Sequence, residues 1–157
     1  MSEEVRFAIC VKNEKGRKDL KTFLDSLNEE FKGFYRWGKT SSEVYNSLIT
    51  LKHITFILGW IDLEIVSMTY LLKEKGECRF GIVVKEEWQG KDIGSKQTTF
   101  TLKYATKRKI DEVRLSCNLN LINWYSALGF HIVKAFNDRE VPRVEMAISL
   151  KKRGSKR

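Results

Sequence analysis

The stretch Ile82-Val83-Val84-Lys85-Glu86-Glu87-Trp88-Gln89-Gly90-Lys91-Asp92-Ile93-Gly94-Ser95 decides the reading of this chain. A short apolar strand enters a loop with two glycines, and the loop opens into a polar, lysine-containing helix. The first N–H groups of a helix have no partner within it, and the positive end of the helix dipole favours an anion there. The loop is not a Walker A motif, because no Gly-Lys-Ser/Thr ends it. It is not a Rossmann fingerprint either: the glycine spacing is wrong, and the strand before it belongs to an antiparallel meander.

Upstream of this stretch, residues 5–11 read as a first strand. Leu20, Phe23, Leu24, Leu27 and Phe31 have the spacing of one buried helical face, which predicts a helix over 17–31. The aromatic segment Phe34-Tyr35-Arg36-Trp37-Gly38 follows. Thr40 and Glu43 have capping-box spacing, so a second helix should start at Ser41 and run to about Leu51. Strands are expected at 55–60, 65–72 and 78–84, with hairpin turns at 62–64 and 74–77.

Downstream, a helix should run to about Lys109, with Ile93, Phe100, Tyr104 and Ala105 sharing part of a face and its lysines and threonines largely exposed. A strand at 113–117 comes next, so strand, helix and strand imply one parallel crossover. A short helix near 121–127 and a final antiparallel pair at 130–136 and 143–150 complete the chain. The expected fold is α/β (α+β): a mixed, mostly antiparallel central sheet of about six or seven strands, flanked by about four helices. Residues 1–150 read as a single domain and 151–157 as a basic tail.

The chain has 157 residues, 42% hydrophobic and 31% charged, a composition typical of a soluble globular protein. Cys10, Cys78 and Cys117 show no metal-ligand spacing and only two histidines are present, so no metal site is expected. The cysteines read as small buried residues of a reducing compartment. No apolar stretch is long enough to span a bilayer, and Met1-Ser2-Glu3-Glu4 lacks a signal-peptide core, so the expectation is a cytoplasmic protein without membrane contact. The net charge of +9, with Lys151-Lys152-Arg153 and Lys156-Arg157 at the end, favours an anionic cofactor and raises a nucleic-acid or ribosome contact through the tail.

A second signal lies beyond the helix. Asn118 is followed by Tyr125 seven residues later and by Gly129-Phe130 four residues after that. With Val84, Gln89 and Gly94 in the loop, these positions resemble the GNAT superfamily of acetyl-CoA-dependent N-acyltransferases, over about residues 55–150. The loop signature is an apolar residue, four variable ones, then Gln/Arg-x-x-Gly-x-Gly/Ala.

The resemblance implies an N-acetyltransferase that moves an acetyl group from acetyl-CoA to a primary amine, by direct attack through a tetrahedral intermediate. Backbone N–H groups of Gln89, Gly90, Lys91, Asp92, Ile93, Gly94 and Ser95 would hold the coenzyme A pyrophosphate. Ile82, Val83 and Val84 would splay from the strand at 113–117 and offer an open edge to pantetheine, with an N–H near Ile82 polarising the thioester carbonyl. Asn118 would hold the pantetheine arm, and Tyr125 would act as general acid. Asp92 stands where the family usually has Gly, and its side chain is expected to turn away and cap the helix.

No residue is assigned as general base: the places where family members carry a Glu are filled by Cys78, Arg79 or Val113. The acceptor pocket is expected between the N-terminal helices and the 136–143 loop, with Phe34, Tyr35, Arg36 and Trp37 as candidate lining. The acceptor is a small-molecule or protein amine, and sheet-edge homodimers are common in the superfamily. Two other readings stay open: a basic RNA- or ribosome-associated module, and a coenzyme A-binding family member without catalysis.

Overall fold

Two polar caps set the N-terminal helices. The computed structural model describes residues 4–27 and 37–151. In it, Asn13 accepts from the Gly16 N–H at 2.8 Å and starts α1 (Glu14–Ser26). The helix thus begins three residues before the expected start. Leu27 is already extended (ψ 145°) and ends it; Phe31 lies outside the described residues. The Thr40–Glu43 capping box forms as expected and opens α2 (Ser41–Ile49), which stops two residues short of Leu51.

Strand β1 (Arg6–Ile9) pairs antiparallel with β2 (Ile54–Ile61), β2 with β3 (Glu64–Glu74), and β3 with β4 (Glu77–Val84). Lys75 and Gly76 both take positive φ (52° and 77°), the geometry of a two-residue hairpin turn. The helix α3 (Ile93–Lys107) then crosses to β5 (Glu112–Asn118), which lies parallel to β4. After α4 (Ile122–Ala127), strands β6 (His131–Asp138) and β7 (Val141–Ser149) form the last hairpin. Its turn is the pair Arg139 and Glu140, both at positive φ, so the strands run two residues further toward the turn than expected and the 136–143 loop is a tight hairpin end. The seven strands lie in the order β1-β2-β3-β4-β5-β7-β6.

Strand alternation sends side chains to two cores. On one face Ile54, Phe56, Leu58, Met68 and Val83 pack against Leu20, Phe23 and Leu24 of α1 and Val44 and Leu48 of α2. On the other, Leu71, Phe80, Leu115 and Met146 pack against Ala105 of α3 and Tyr125 of α4. The buried face of α3 is more polar than expected: Gln97, Thr98 and Thr101 are fully buried. Gln97 donates to the Ile57 carbonyl at 2.8 Å and accepts from Ser67, and Thr101 meets Thr69 hydroxyl to hydroxyl at 2.7 Å. These bonds explain how threonines read as surface residues come to be interior: each buried polar group has a partner on β2 or β3 or in its own helix. No helix among the described residues is long and apolar enough to cross a membrane.

Candidate active site

Arg79 opposite Arg114 is the register pair that joins β4 to β5. Both strands run on from there in the same direction, yet no further pair is formed among the described residues. The strands part, and the parted ends are 82–84 on β4 and 116–118 on β5. The splay expected near Ile82 is therefore present.

The loop after β4 is braced from both sides. Gln89 folds back to donate to the Val84 carbonyl at 2.9 Å. Glu64 accepts from Lys85 Nζ at 3.0 Å and from Trp88 Nε1 at 3.4 Å. Gly90 takes φ +78°, which favours glycine. Asp92 also adopts a left-handed backbone, φ +66°, and its side chain caps no N–H. The expectation that Asp92 caps the helix is wrong: its backbone, not its carboxylate, makes the turn. The first bond into α3 runs from the Lys96 N–H to the Asp92 carbonyl at 3.1 Å. The N–H groups of Ile93, Gly94 and Ser95 precede it and have no acceptor within the helix.

A groove of about 480 Å³ opens between this helix start and the parted strands. Ile82, Val84, Gln89, Gly90, Asp92, Ile93, Gly94, Ser95 and Tyr125 all reach it. Three candidates do not. The Val83 side chain is buried on the opposite face, in the α1/α2 core. Lys91 is exposed, with its ammonium 5.8 Å from the Trp88 ring centre. Asn118 Oδ1 accepts from Arg143 Nη1 at 2.6 Å outside the groove lining, leaving its amide N–H free to donate. Trp88, Leu121 and Trp124 also line the groove and were not singled out from sequence. A methyl group at Gly94 would stand 3.2 Å from Trp124 Cζ2, so that glycine keeps the helix start open beneath the indole.

Tyr125 is 7% exposed, edge-on to both Trp124 and Phe130. Among the described residues no fully buried side-chain oxygen lacks a partner and no hydrogen bond engages this hydroxyl, and Tyr125 lines the groove. Burial pushes its phenol well above the ordinary value of 10.0, with the nearby Cys117 and Tyr70 acting in the same direction.

These features test the fit of coenzyme A. Free N–H groups at a glycine-containing helix start suit a pyrophosphate, and an unpaired strand edge suits an amide-bearing arm. A family model described as the acetyltransferase (GNAT) family matches residues 20–130. The chain belongs to the GNAT acetyltransferase family. It is an acyltransferase, and the acetyl donor of the family is acetyl-CoA. Solved GNAT structures share its fold. An acyl-CoA N-acyltransferase from Pseudomonas aeruginosa is 18% identical, with a TM-score of 0.71 over 92% of this chain and 99% of that one. An aminoglycoside 6'-N-acetyltransferase complexed with coenzyme A is 14% identical, TM-score 0.73, over 97% and 99%. An N-acetyltransferase from Staphylococcus aureus is 16% identical, TM-score 0.70, over 94% and 98%. No curated protein matches the chain.

On the opposite face of the sheet the GNAT chain carries an ion-pair network that sequence reasoning missed. Glu145 of β7 accepts from Arg79 Nη1 at 3.2 Å and from Arg114 Nη1 at 2.8 Å, and Arg79 also donates to Ser116 Oγ at 2.9 Å. Only the strand register reveals it, because the three charges are far apart in sequence. Nearby, Tyr70 covers Gly81, where any Cβ would overlap its ring. Trp37 stands edge-on to Tyr70 at 5.2 Å, half-buried against the α1/α2 core. The other candidate lining residues, Phe34, Tyr35 and Arg36, lie outside the described residues. No group of three or more metal-ligating side chains comes together among the described residues.

Proposed function

We propose that this chain is an N-acetyltransferase that passes an acetyl group from acetyl-CoA directly to a primary amine. The observation that carries this reading is the convergence of three things on one groove: the unpartnered N–H groups of Ile93, Gly94 and Ser95, the parted β4 edge, and the Tyr125 hydroxyl. When bound, acetyl-CoA supplies a reactive thioester and a sulfur leaving group.

In this reading the amides of 89–95 hold the pyrophosphate, assisted by the positive end of α3. The backbone of Ile82, Val83 and Val84 offers an edge to the pantetheine arm, which makes the inward side chain of Val83 no obstacle. An N–H near Ile82 would polarise the acetyl carbonyl. Asn118 donates from its free amide to the arm. Tyr125, kept protonated by burial, would supply the proton that the leaving sulfur needs. The amine would enter from the face of Trp37 and Tyr70, and Tyr35 and Arg36, outside the described residues, stay candidates from the sequence. Glu145 is not a base here: burial alone would push its carboxyl up, but hydrogen bonds from Arg114 and Arg79 outweigh this and hold it below its ordinary 4.5.

A thermal-shift titration tests the reading. Millimolar acetyl-CoA should raise the melting temperature by binding the folded state. An amine screen with thiol detection then identifies the acceptor class. No shift, together with no thiol release from any amine, would sink the proposal.

A further inference from the structure

At the other end of α3 lies a second cleft, of about 340 Å³, at the start of β2 and the end of β3. It is walled by Lys12, Lys52, His53, Lys73 and Arg108, with Tyr104 beside them, and no acidic side chain lines it. Neither the three lysines nor Arg108 forms an ion pair among the described residues. Lys12 donates only to the Lys52 carbonyl, at 3.2 Å, and Arg108 to the Tyr104 hydroxyl, at 3.1 Å. Four permanent cations around one depression repel each other, and an anion relieves that repulsion. The length of α3, at about 1.5 Å per residue, puts this cleft roughly 20 Å from the Gly94 end.

The positive charge continues beyond the cleft. Lys96, Lys103 and Lys107 are spaced seven and four residues apart on α3, all exposed on one helical face. The helix contains no Asp or Glu. Next to the cleft residue Ile110, Asp111 meets Lys151 at 3.7 Å, and the sequence continues Lys152-Arg153. A single small anion would use one cluster; cations spaced along a track match a chain of phosphates. The exposed Arg108 guanidinium stands 5.4 Å from the Tyr104 ring centre, and a planar cation backed by an aromatic ring is suited to stacking with an unpaired base. We propose that this surface binds the phosphodiester backbone of a single-stranded nucleic acid.

Fluorescence anisotropy with a labelled RNA of roughly 20 nucleotides, and a DNA of the same sequence, tests this. Binding to at least one strand is expected at low salt. Engaging four cations should weaken it about fifty-fold between about 50 and about 200 mM salt. The combined variant Lys12→Gln, Lys52→Gln, Lys73→Gln and Arg108→Gln should lose at least about tenfold in affinity, while a charge-matched control with Arg17, Lys18, Lys39 and Lys134 each changed to Gln should stay within about threefold. Both variants should keep the wild-type melting temperature and its response to acetyl-CoA, which separates failure here from failure of the acetyltransfer reading. Three results would each overturn the proposal: no binding of either strand at low salt, equal loss in both variants, or binding that vanishes on removing 152–157 but survives the cleft variant. Capture by phosphatidylserine vesicles in place of either strand would overturn it as well.

Discussion

Arg79 and Arg114 face each other where β4 and β5 meet, and the carboxylate of Glu145 lies between their guanidinium groups. Two cations on neighbouring strands repel. Each has a carboxylate on its own strand, Glu77 for Arg79 and Glu112 for Arg114, and a third strand supplies the one they share, at the level where the pair stops and the groove begins. The clamp is 12% exposed at Glu145 and 19% at Arg79, shielded enough from water to count.

Glu145→Ala leaves both guanidinium groups without their shared acceptor. It should cost about 2 kcal/mol, a fall of roughly 4–8 °C in melting temperature. Because the carboxyl is held below 4.5 in the folded protein, its contribution is complete above that value and is lost as pH falls through the depressed folded value. The gap between wild type and variant, measured by thermal denaturation, should therefore narrow in acid. A gap that stays constant from neutral pH to strong acid would refute this role.

Tyr125→Phe removes the proposed acid and keeps the ring that packs on Trp124 and Phe130. Turnover should drop about 100-fold or more while the dissociation constant for coenzyme A changes little. Since burial raises the phenol above 10.0, wild-type kcat should show no decline from Tyr125 ionisation as pH rises to that value. Steady-state kinetics and calorimetric binding read the two effects separately, and undiminished turnover would defeat the assignment.

Asp92→Gly relieves a left-handed non-glycine residue and removes a carboxylate from the groove. Stability should rise by up to about 1 kcal/mol. Coenzyme A affinity should rise about threefold to tenfold at low ionic strength, with the gain shrinking as salt is added. Isothermal titration at two salt concentrations checks both the sign and the screening; weaker binding in the variant would show that Asp92 helps and does not hinder.

Gln97→Leu takes away the donor to the Ile57 carbonyl and the acceptor for Ser67, both in the buried interface between α3 and the sheet. The loss should amount to about 2–4 kcal/mol, visible in urea unfolding. An unchanged midpoint would mean that water replaces the amide.

Much of the molecule was readable from residue order. Thr40 and Glu43 announced the start of α2, because a capping box is a local bonding pattern. Every expected strand formed, with ends shifted by a few residues, because alternation and turn residues are local too. The groove residues around Gly94 were legible because a glycine-bearing strand-to-helix turn is written in consecutive positions, whereas Tyr125 across from them was marked only by the resemblance to the family signature that also holds Asn118 and Gly129-Phe130. The polar interior of α3 was not: Thr98 and Thr101 look like surface residues until β3 supplies their surroundings.

What the sequence determined alone was therefore what depends on neighbours along the chain: the capping box of α2, the hairpins, the strand–loop–helix unit and the family signature. What only the tertiary structure decided was how distant charges and rings meet. The Glu145 clamp, the Trp124 ring over Gly94 and the acid-free cleft at Lys12, Lys73 and Arg108 join segments far apart in the chain. Their energies depend on separations through space, and strand register and helix crossing set those separations.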